Sequence, residues 1–465
     1  METPLAQQSK QLDVDRLAAV AIGCLLSVSI ALAYYLLLSN PGYFSHDELQ
    51  WGAHADVDHW TDLPWQGWTD YTAFQHRPLT FNLWLSIANA WFEQPLFMHA
   101  LWLVIGCFNC MLLFACLKQL RASTAQALAG AAAFAISPYA VYVHGWTATL
   151  ADLLWLGAAL VLLISLLRLP VDSRWRASTA ALVLTTMGLL AKEAALAIAP
   201  LLLFAWLAWG RQPRMAAALF ASGTVTAVYL CLRLPTLLFS ARPDGAYAWS
   251  LSMPLRRWME MQVFTYLPTA LEFSSVSNAS LGRFAVALLI AISVITTVSF
   301  ASKRLGTTLV LGGALAMGPP LVLAIAYPQY GYGYAALACG CGTLAWPRLQ
   351  SRGKFVLLLA LLISSWHGVN IAREMHRIGT IQSVYSPALA AALNEHRASK
   401  SNSEATLRLV VMEADDRGVF ERLTQQIPSY AGIAIGERVK LVDRQQAHEA
   451  VISGDGSISW LSASP

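Results

Sequence analysis

Adjacent carboxylates open the first polar segment of the chain: YFSHDELQWG (43–52) sets Asp47 and Glu48 beside His46, directly after a long apolar run. Carboxylates at that place can take up protons or hold cations. Further chemistry-bearing residues follow, each flanked by apolar sequence. They are His76 and Arg77 in QHRPLTF (75–81), His144 and Asp152 in SPYAVYVHGWTATLADLLW (137–155), and Lys192 and Glu193 in GLLAKEAALAIAP (188–200). Arg256 and Arg257 lie in PLRRWMEM (254–261), and Gln329, Tyr330, Tyr332 and Tyr334 in PQYGYGY (328–334).

The residue types point to partners. Arg77 can bind a phosphate through two parallel hydrogen bonds, or lay its long stem along lipid and reach to the headgroups. Lys192 and Glu193 interrupt the apolar stretch 177–209. A charge inside a membrane segment costs about 2.5–3.5 kcal/mol, so it faces protein or water and marks a site. Lys192 either neutralises a phosphate or pairs with Glu193 or Asp152. Asp152 stands at the start of an apolar run, where a carboxylate suits a helix N-terminus. His144 and Trp146 line a turn at the surface. Arg256 and Arg257 can engage a phosphate headgroup, and the tyrosines of PQYGYGY can stack against a sugar. His46, Asp47, Glu48 and His54 have the donor types for a divalent metal, but a site without metal is expected.

Composition says what must position these residues. The 465 residues are 56% hydrophobic and 12% charged, about half the charge of a soluble domain, which excludes an ordinary soluble enzyme. A spanning helix needs about 20 apolar residues. Such runs occur at 17–39, 96–117, 123–142, 150–167, 177–191, 194–209, 215–233, 284–301, 306–327, 331–346 and 355–370. Basic residues favour the cytoplasmic side, and they fall in alternate connections if 177–209 turns back on itself near Lys192. The expectation is a polytopic α-helical protein of the cell (inner) membrane with eleven spans, its N-terminus cytoplasmic and its C-terminus outside. The transmembrane domain covers 1–370, with outer loops at 40–95 and 234–283.

The first outer loop interleaves Asp47, Glu48, Asp56, Asp58, Asp62 and Asp70 with Trp51, Trp60, Trp65 and Trp68. Tryptophan settles at the membrane–water interface, so the loop lies as short amphipathic helices on the outer leaflet. Most of its acids are then simply solvated. Asp47 differs because it sits within a turn or two of the first span, where neighbouring spans form a cavity. The second outer loop carries Arg242 along with Arg256 and Arg257. From about 371 to 465 charge becomes frequent, and RLVVME (408–413) and SISWL (457–461) read as strands around a helical FERLTQQI (420–427). This is a small extracytoplasmic α/β domain. The seven cysteines all fall in apolar runs; the CxxC of Cys107 and Cys110 lies within a spanning helix, and no disulfide framework is expected.

Taken in order, HDE after the first run, HRPLTF before the second, SPYAVYVHGW…LADLL and LLAKE resemble the membrane glycosyltransferases of the GT-C superfamily. The likeness is greatest to the protein O-mannosyltransferase and TPR-containing O-mannosyltransferase branches, and covers roughly residues 17–210. It implies a sugar on a polyprenyl phosphate as donor, with Asp47 as catalytic base assisted by Glu48. Arg77, Lys192, Arg256 and Arg257 would then contact the donor phosphate. His46, His76, His144, Asp152, Glu193, Gln329, Tyr330 and Tyr332 would line the substrate site. The acceptor is a hydroxyl of a protein, glycan or lipid, and nucleic acid is not a partner. The chain departs from the family at Arg77, where O-mannosyltransferases show a second proline, and at Gln329, where the TPR-containing branch has arginine. Two other readings stay open. One is a secondary transporter with Asp152, Lys192 and Glu193 as its coupling network, although the inverted repeat common in transporters is not visible. The other is a non-catalytic assembly partner.

Overall fold

With no water in the hydrocarbon core, a spanning backbone must satisfy its own hydrogen bonds, which a helix does within one segment. The computed structural model is built accordingly. It describes residues 4–73, 75–239, 248, 250–399, 406–413, 416–424, 427–444, 446 and 449–461; Arg242 and residues 425–426 of the expected tail helix lie outside these. The first half contains α1 (Pro4–Leu38), α2 (His46–Ala55), α3 (Pro78–Trp91), α4 (Pro95–Gln119), α5 (Thr124–Ala135), α6 (Pro138–Gly145) and α7 (Leu150–Arg168). Then come α8 (Arg174–Ala191), α9 (Ile198–Trp209), α10 (Pro213–Phe239), α11 (Pro254–Phe264), α12 (Phe273–Ser277) and α13 (Leu281–Ala301). The helices end with α14 (Lys303–Thr307), α15 (Gly313–Met317), α16 (Tyr332–Ala345), α17 (Ser351–Ser399) and α18 (Arg417–Thr424).

Among the described residues, 6 helices are long and apolar enough to cross a membrane. They are Val20–Leu38, Pro95–Gln119, Thr147–Arg168, Pro213–Leu237, Leu281–Ala301 and Ser351–Ser399; α5 and α6, bent by 60° at Ser137, add a seventh if counted together. This is fewer than the eleven spans expected. Helix forms at the other apolar runs, but α9 with 12 residues extends only about 18 Å, against about 30 Å of hydrocarbon. The run 306–327 is broken by a π-helical turn at Thr308–Gly312 and by Gly318, whose φ of +61° ends α15 before Pro319.

Small residues bring the helices together. Ala177, Ala181, Thr185 and Gly188 are all buried on α8, which packs closely along α10, and Thr185 shares a 2.8 Å hydrogen bond with Ser222. Lys192 is extended (φ −162°, ψ 142°), and beyond it Ala195 and Ile198 come back against Gly188. The reversal expected near Lys192 is therefore present.

α17 runs unbroken for 49 residues, roughly 73 Å, so it carries straight through the domain boundary expected at 370/371. Strands begin only at β1 (Leu407–Val411), followed by β2 (Ser429–Tyr430), β3 (Ile433–Ala434), β4 (Val439–Val442), β5 (Ala450–Ile452) and β6 (Ile458–Trp460). The main sheet has the order β4-β1-β5-β6, with β1 parallel to both neighbours and β6 antiparallel to β5. The expected strands and helix of the tail are thus found, as β1, β6 and α18. This small domain is seated on the C-terminal half of α17: Tyr385 shares a 2.7 Å hydrogen bond with Thr424 of α18, and Trp460 Nε1 donates to Glu395 at 2.8 Å.

Candidate functional site

The segment that delivers HDE is held from several sides before its helix begins. Asn40 Nδ2 donates to the Met375 carbonyl at 3.3 Å and Gln382 Oε1 accepts from Tyr43 N at 2.8 Å, both on α17. His99 on α4 bonds the Gly42 carbonyl at 2.9 Å. Gly42 and Gly379 meet where this segment crosses α17: a Cβ on Gly42 would overlap the Gly379 carbonyl, and one on Gly379 would overlap Asn40. Glycine is needed at both for close approach, not for its φ.

Of the two adjacent carboxylates, Glu48 turns inward and is fully buried. Its Oε2 accepts from Phe44 N at 2.7 Å and Ser45 N at 2.9 Å, the returning half of a capping box at the start of α2. Its Oε1 accepts from Thr147 N and Thr147 Oγ1, each at 2.7 Å. Burial pushes its pKa up to about 7, although all four hydrogen bonds favour the charged form. Glu48 therefore fixes α2 to the turn before α7, while Asp47 faces outward. Asp47 is 36% exposed, with His46 Nε2 3.2 Å from its Oδ1.

A cleft opens nearby, lined by Gln75, Arg77, Lys192, Glu193 and Tyr330, with Leu237, Pro319, Pro320 and Leu323 forming its apolar wall. Four charges are paired here: Arg77 Nε with Glu193 at 2.8 Å and Lys192 Nζ with Asp152 at 2.5 Å. The Lys192 ammonium also lies 4.9 Å from the centre of the Tyr330 ring. The sequence left Lys192 a choice of partner, and the buried pair is with Asp152. Thr80 Oγ1 donates to the Ala191 carbonyl at 2.9 Å, tying α3 to the end of α8 and so placing Arg77 beside the break.

The cleft and the carboxylate helix are joined through one turn. Thr147, which holds Glu48, also accepts from Trp84 Nε1 of α3 at 2.9 Å. Asp152 lies five residues further along the same turn and helix. Tyr327 packs 6.2 Å from Tyr330 between centroids. Arg77, Lys192, Glu193 and Tyr330 thus share the cleft, with Asp152 paired to Lys192, and Glu48 ties the helix that carries Asp47 to the turn leading to Asp152.

Other residues singled out in the sequence lie elsewhere. Arg257 is buried, donating to the carbonyls of Leu323 and Ala324 and pairing with Glu260. Arg256, 54% exposed, pairs with Glu260 at 2.8 Å and reaches Ser277 at 3.2 Å. Neither guanidinium lines the cleft of Arg77 and Lys192, although Arg257 bonds the backbone of Leu323 in its wall. The turn of His144 and Trp146 is buried rather than at the surface. His144 bridges Tyr34 OH and Tyr332 OH at 2.9 Å each, and Asn109 Nδ2 donates to Tyr332 at 3.3 Å. This polar chain joins α1, α4, α6 and α16 inside the bundle, so Tyr332 faces His144 and not the cleft. His76 is buried with its ring 4.9 Å from Tyr71, and burial with the nearby Arg233 lowers its pKa. Gln329 is buried beside Tyr330.

Arg233 carries almost no signature in the sequence. It is fully buried near the C-terminal end of α10 and donates to the carbonyls of Tyr71 and Ala73, pinning the first polar loop against that helix. Its one signal was a lone arginine ending an apolar run, in CLRLP (231–235). Among the described residues no group of three or more His, Cys, Asp or Glu is arranged to hold a metal ion; Glu48 is turned away from His46 and Asp47.

No family model and no curated protein matches the chain. Among solved structures it is similar to the crystal structure of the Archaeoglobus fulgidus oligosaccharyltransferase in complex with Zn and sulfate. The identity is 13% and the TM-score 0.47, over 86% of this chain and 61% of that one. A crystal structure of the same archaeal protein, tethered with an acceptor peptide containing the NVT sequon via a disulfide bond, gives 12% identity and a TM-score of 0.44 over 86% and 63%. The chain spans less than two thirds of the length of these structures.

Proposed function

We propose that the protein is a GT-C-type glycosyltransferase, similar to O-mannosyltransferases, that moves a sugar from a polyprenyl-phosphate donor to an acceptor hydroxyl at the outer membrane surface. One observation carries this reading: the helix that presents the partly exposed Asp47 and a cleft holding two cations are tied to the same segment, 147–152. The acceptor oxygen attacks the anomeric carbon, its proton passes to Asp47, and the bond from carbon to phosphate oxygen breaks with inversion. The electron pair leaves on the phosphate, where Arg77 and Lys192 stabilise the charge. Glu48 positions Asp47 and takes no proton from the acceptor. Glu193 and Asp152 keep the two cations in place until the phosphate competes for them. The apolar wall of Leu237, Pro319, Pro320 and Leu323 suits a lipid-linked donor. In this reading the N-terminus is cytoplasmic and the tail lies on the same outer side as Asp47. The acceptor belongs to a protein, glycan or lipid.

The test is transfer from a polyprenyl-phosphate sugar in proteoliposomes. Asp47→Asn lowers kcat by about 10²–10⁴-fold, the usual worth of a general base, with an unchanged melting temperature. Full turnover by a folded Asp47→Asn protein rejects the assignment. The buried Lys192–Asp152 pair also suits a transporter's coupling network. Solute uptake into proteoliposomes that persists in Asp47→Asn and is lost in Asp152→Asn would replace the enzyme reading with that one.

A further inference from the structure

The tail does not stand apart from the carboxylate site. α18 packs against α2, and β2 packs there as well. From α18 the Arg422 guanidinium lies over the ring of Phe44, 4.8 Å from its centre, three residues before Asp47. The same guanidinium pairs with Glu272 of the segment between α11 and α12. Phe44 in turn stands edge-on to Tyr142 and Trp146, at 5.8 and 6.1 Å. Four segments distant in sequence therefore meet at Phe44 and Arg422: the HDE segment, α6 with the turn that follows it, the second polar loop and the tail.

We infer that the C-terminal domain is part of the carboxylate site and that Arg422 is a positioning residue, clamping the HDE segment between Phe44 and Glu272. The stacking fixes Phe44, whose backbone N–H is one of the four donors to Glu48. The ion pair fixes the clamp to the second polar loop. Arg422 is 24% exposed and Glu272 22%, so the pair is partly desolvated and geometry matters. Lysine would keep the charge but not the flat face that lies on the ring.

Two arms test this on the full-length protein in nanodiscs. Hydrogen exchange of the amides of residues 44–49 reads the clamp without any substrate. Arg422→Ala speeds that exchange about tenfold while leaving α4 and α7 unchanged, and Arg422→Lys gives an intermediate rate. Glu272→Gln, which keeps the guanidinium over Phe44 but removes its ion pair, gives an intermediate rate, and adding it to Arg422→Ala speeds exchange no further. Unchanged exchange in Arg422→Ala, or additive effects of Glu272→Gln and Arg422→Ala, overturns the inference. The second arm rests on the proposed transfer activity: Arg422→Ala lowers kcat about tenfold with the donor KM within twofold. A donor KM that rises instead makes Arg422 a substrate ligand and also overturns it. If wild-type protein transfers no sugar, that reading fails, while the exchange arm still decides the role of Arg422.

Discussion

Glu48 and Thr147 are joined twice, through the Thr147 backbone N–H and its hydroxyl, each 2.7 Å from the same carboxylate oxygen. This relationship makes one of two adjacent acids structural and leaves the other facing outward. It also ties the helix of Asp47 to the turn that carries Asp152.

Glu48 should make stability depend on pH. Burial raises its folded pKa from 4.5 to about 7, so the folded state binds more protons than the unfolded one over this interval. Its contribution is complete below about pH 4.5 and is lost as pH rises through 7, to a total of about 3 kcal/mol. Glu48→Gln abolishes this titration. It also turns an amide donor toward N–H groups, costing about 1–3 kcal/mol. Melting temperatures from pH 5 to 8 should fall more steeply for wild type than for Glu48→Gln. Parallel curves would refute the assignment.

Lys192 and Asp152 should behave as a unit. Lys192→Met leaves a buried carboxylate without its counter-ion and costs about 3–5 kcal/mol, whereas Lys192→Met/Asp152→Leu recovers most of the loss. Thermal melts of the two singles and the double in detergent supply the cycle. Additive losses would show that the two charges do not interact.

The two arginines of PLRRWMEM should part company. Arg256→Ala removes an ion pair whose arginine is half exposed, worth about 0–1 kcal/mol. Arg257→Ala strips the Leu323 and Ala324 carbonyls and Glu260 of a buried donor and costs about 2–3 kcal/mol. Equal melting temperatures for the two variants would contradict the contacts described.

Gly42 and Gly379 should tolerate no methyl. Alanine at either forces the HDE segment away from α17, at about 1–3 kcal/mol, and should lower transfer activity along with stability. An active, stable Gly379→Ala protein would argue against the close crossing.

How far the site can be read in the sequence differs residue by residue. A charge amid apolar residues needs a partner wherever it lies, so Lys192 and Asp152 stood out without a structure. The choice of Asp152 over Glu193 did not, because the pair is separated by 40 positions and local spacing carries no such distance. Arg256 and Arg257 looked alike since they share a composition and a loop. Their exposures differ because consecutive helical residues point about 100° apart. Arg422 gave no local sign at all, as its role arises from folding the tail back onto α2.

By itself the sequence determined that the chain is mostly helical and where its longest apolar helices form, because a backbone in lipid must satisfy its own hydrogen bonds, but not that, among the described residues, only 6 or 7 of the eleven expected runs would be long enough to cross. It also placed the polar residues at the ends and breaks of those helices, and it announced the small α/β tail by a change in composition. Tertiary structure alone decided which of Asp47 and Glu48 faces outward, which cations share a cleft, and which lie apart on α11. It further showed that His144 is interior and that the tail reaches Phe44. These outcomes depend on contacts between segments tens to hundreds of residues apart, which are set by how helices pack and not by any local pattern.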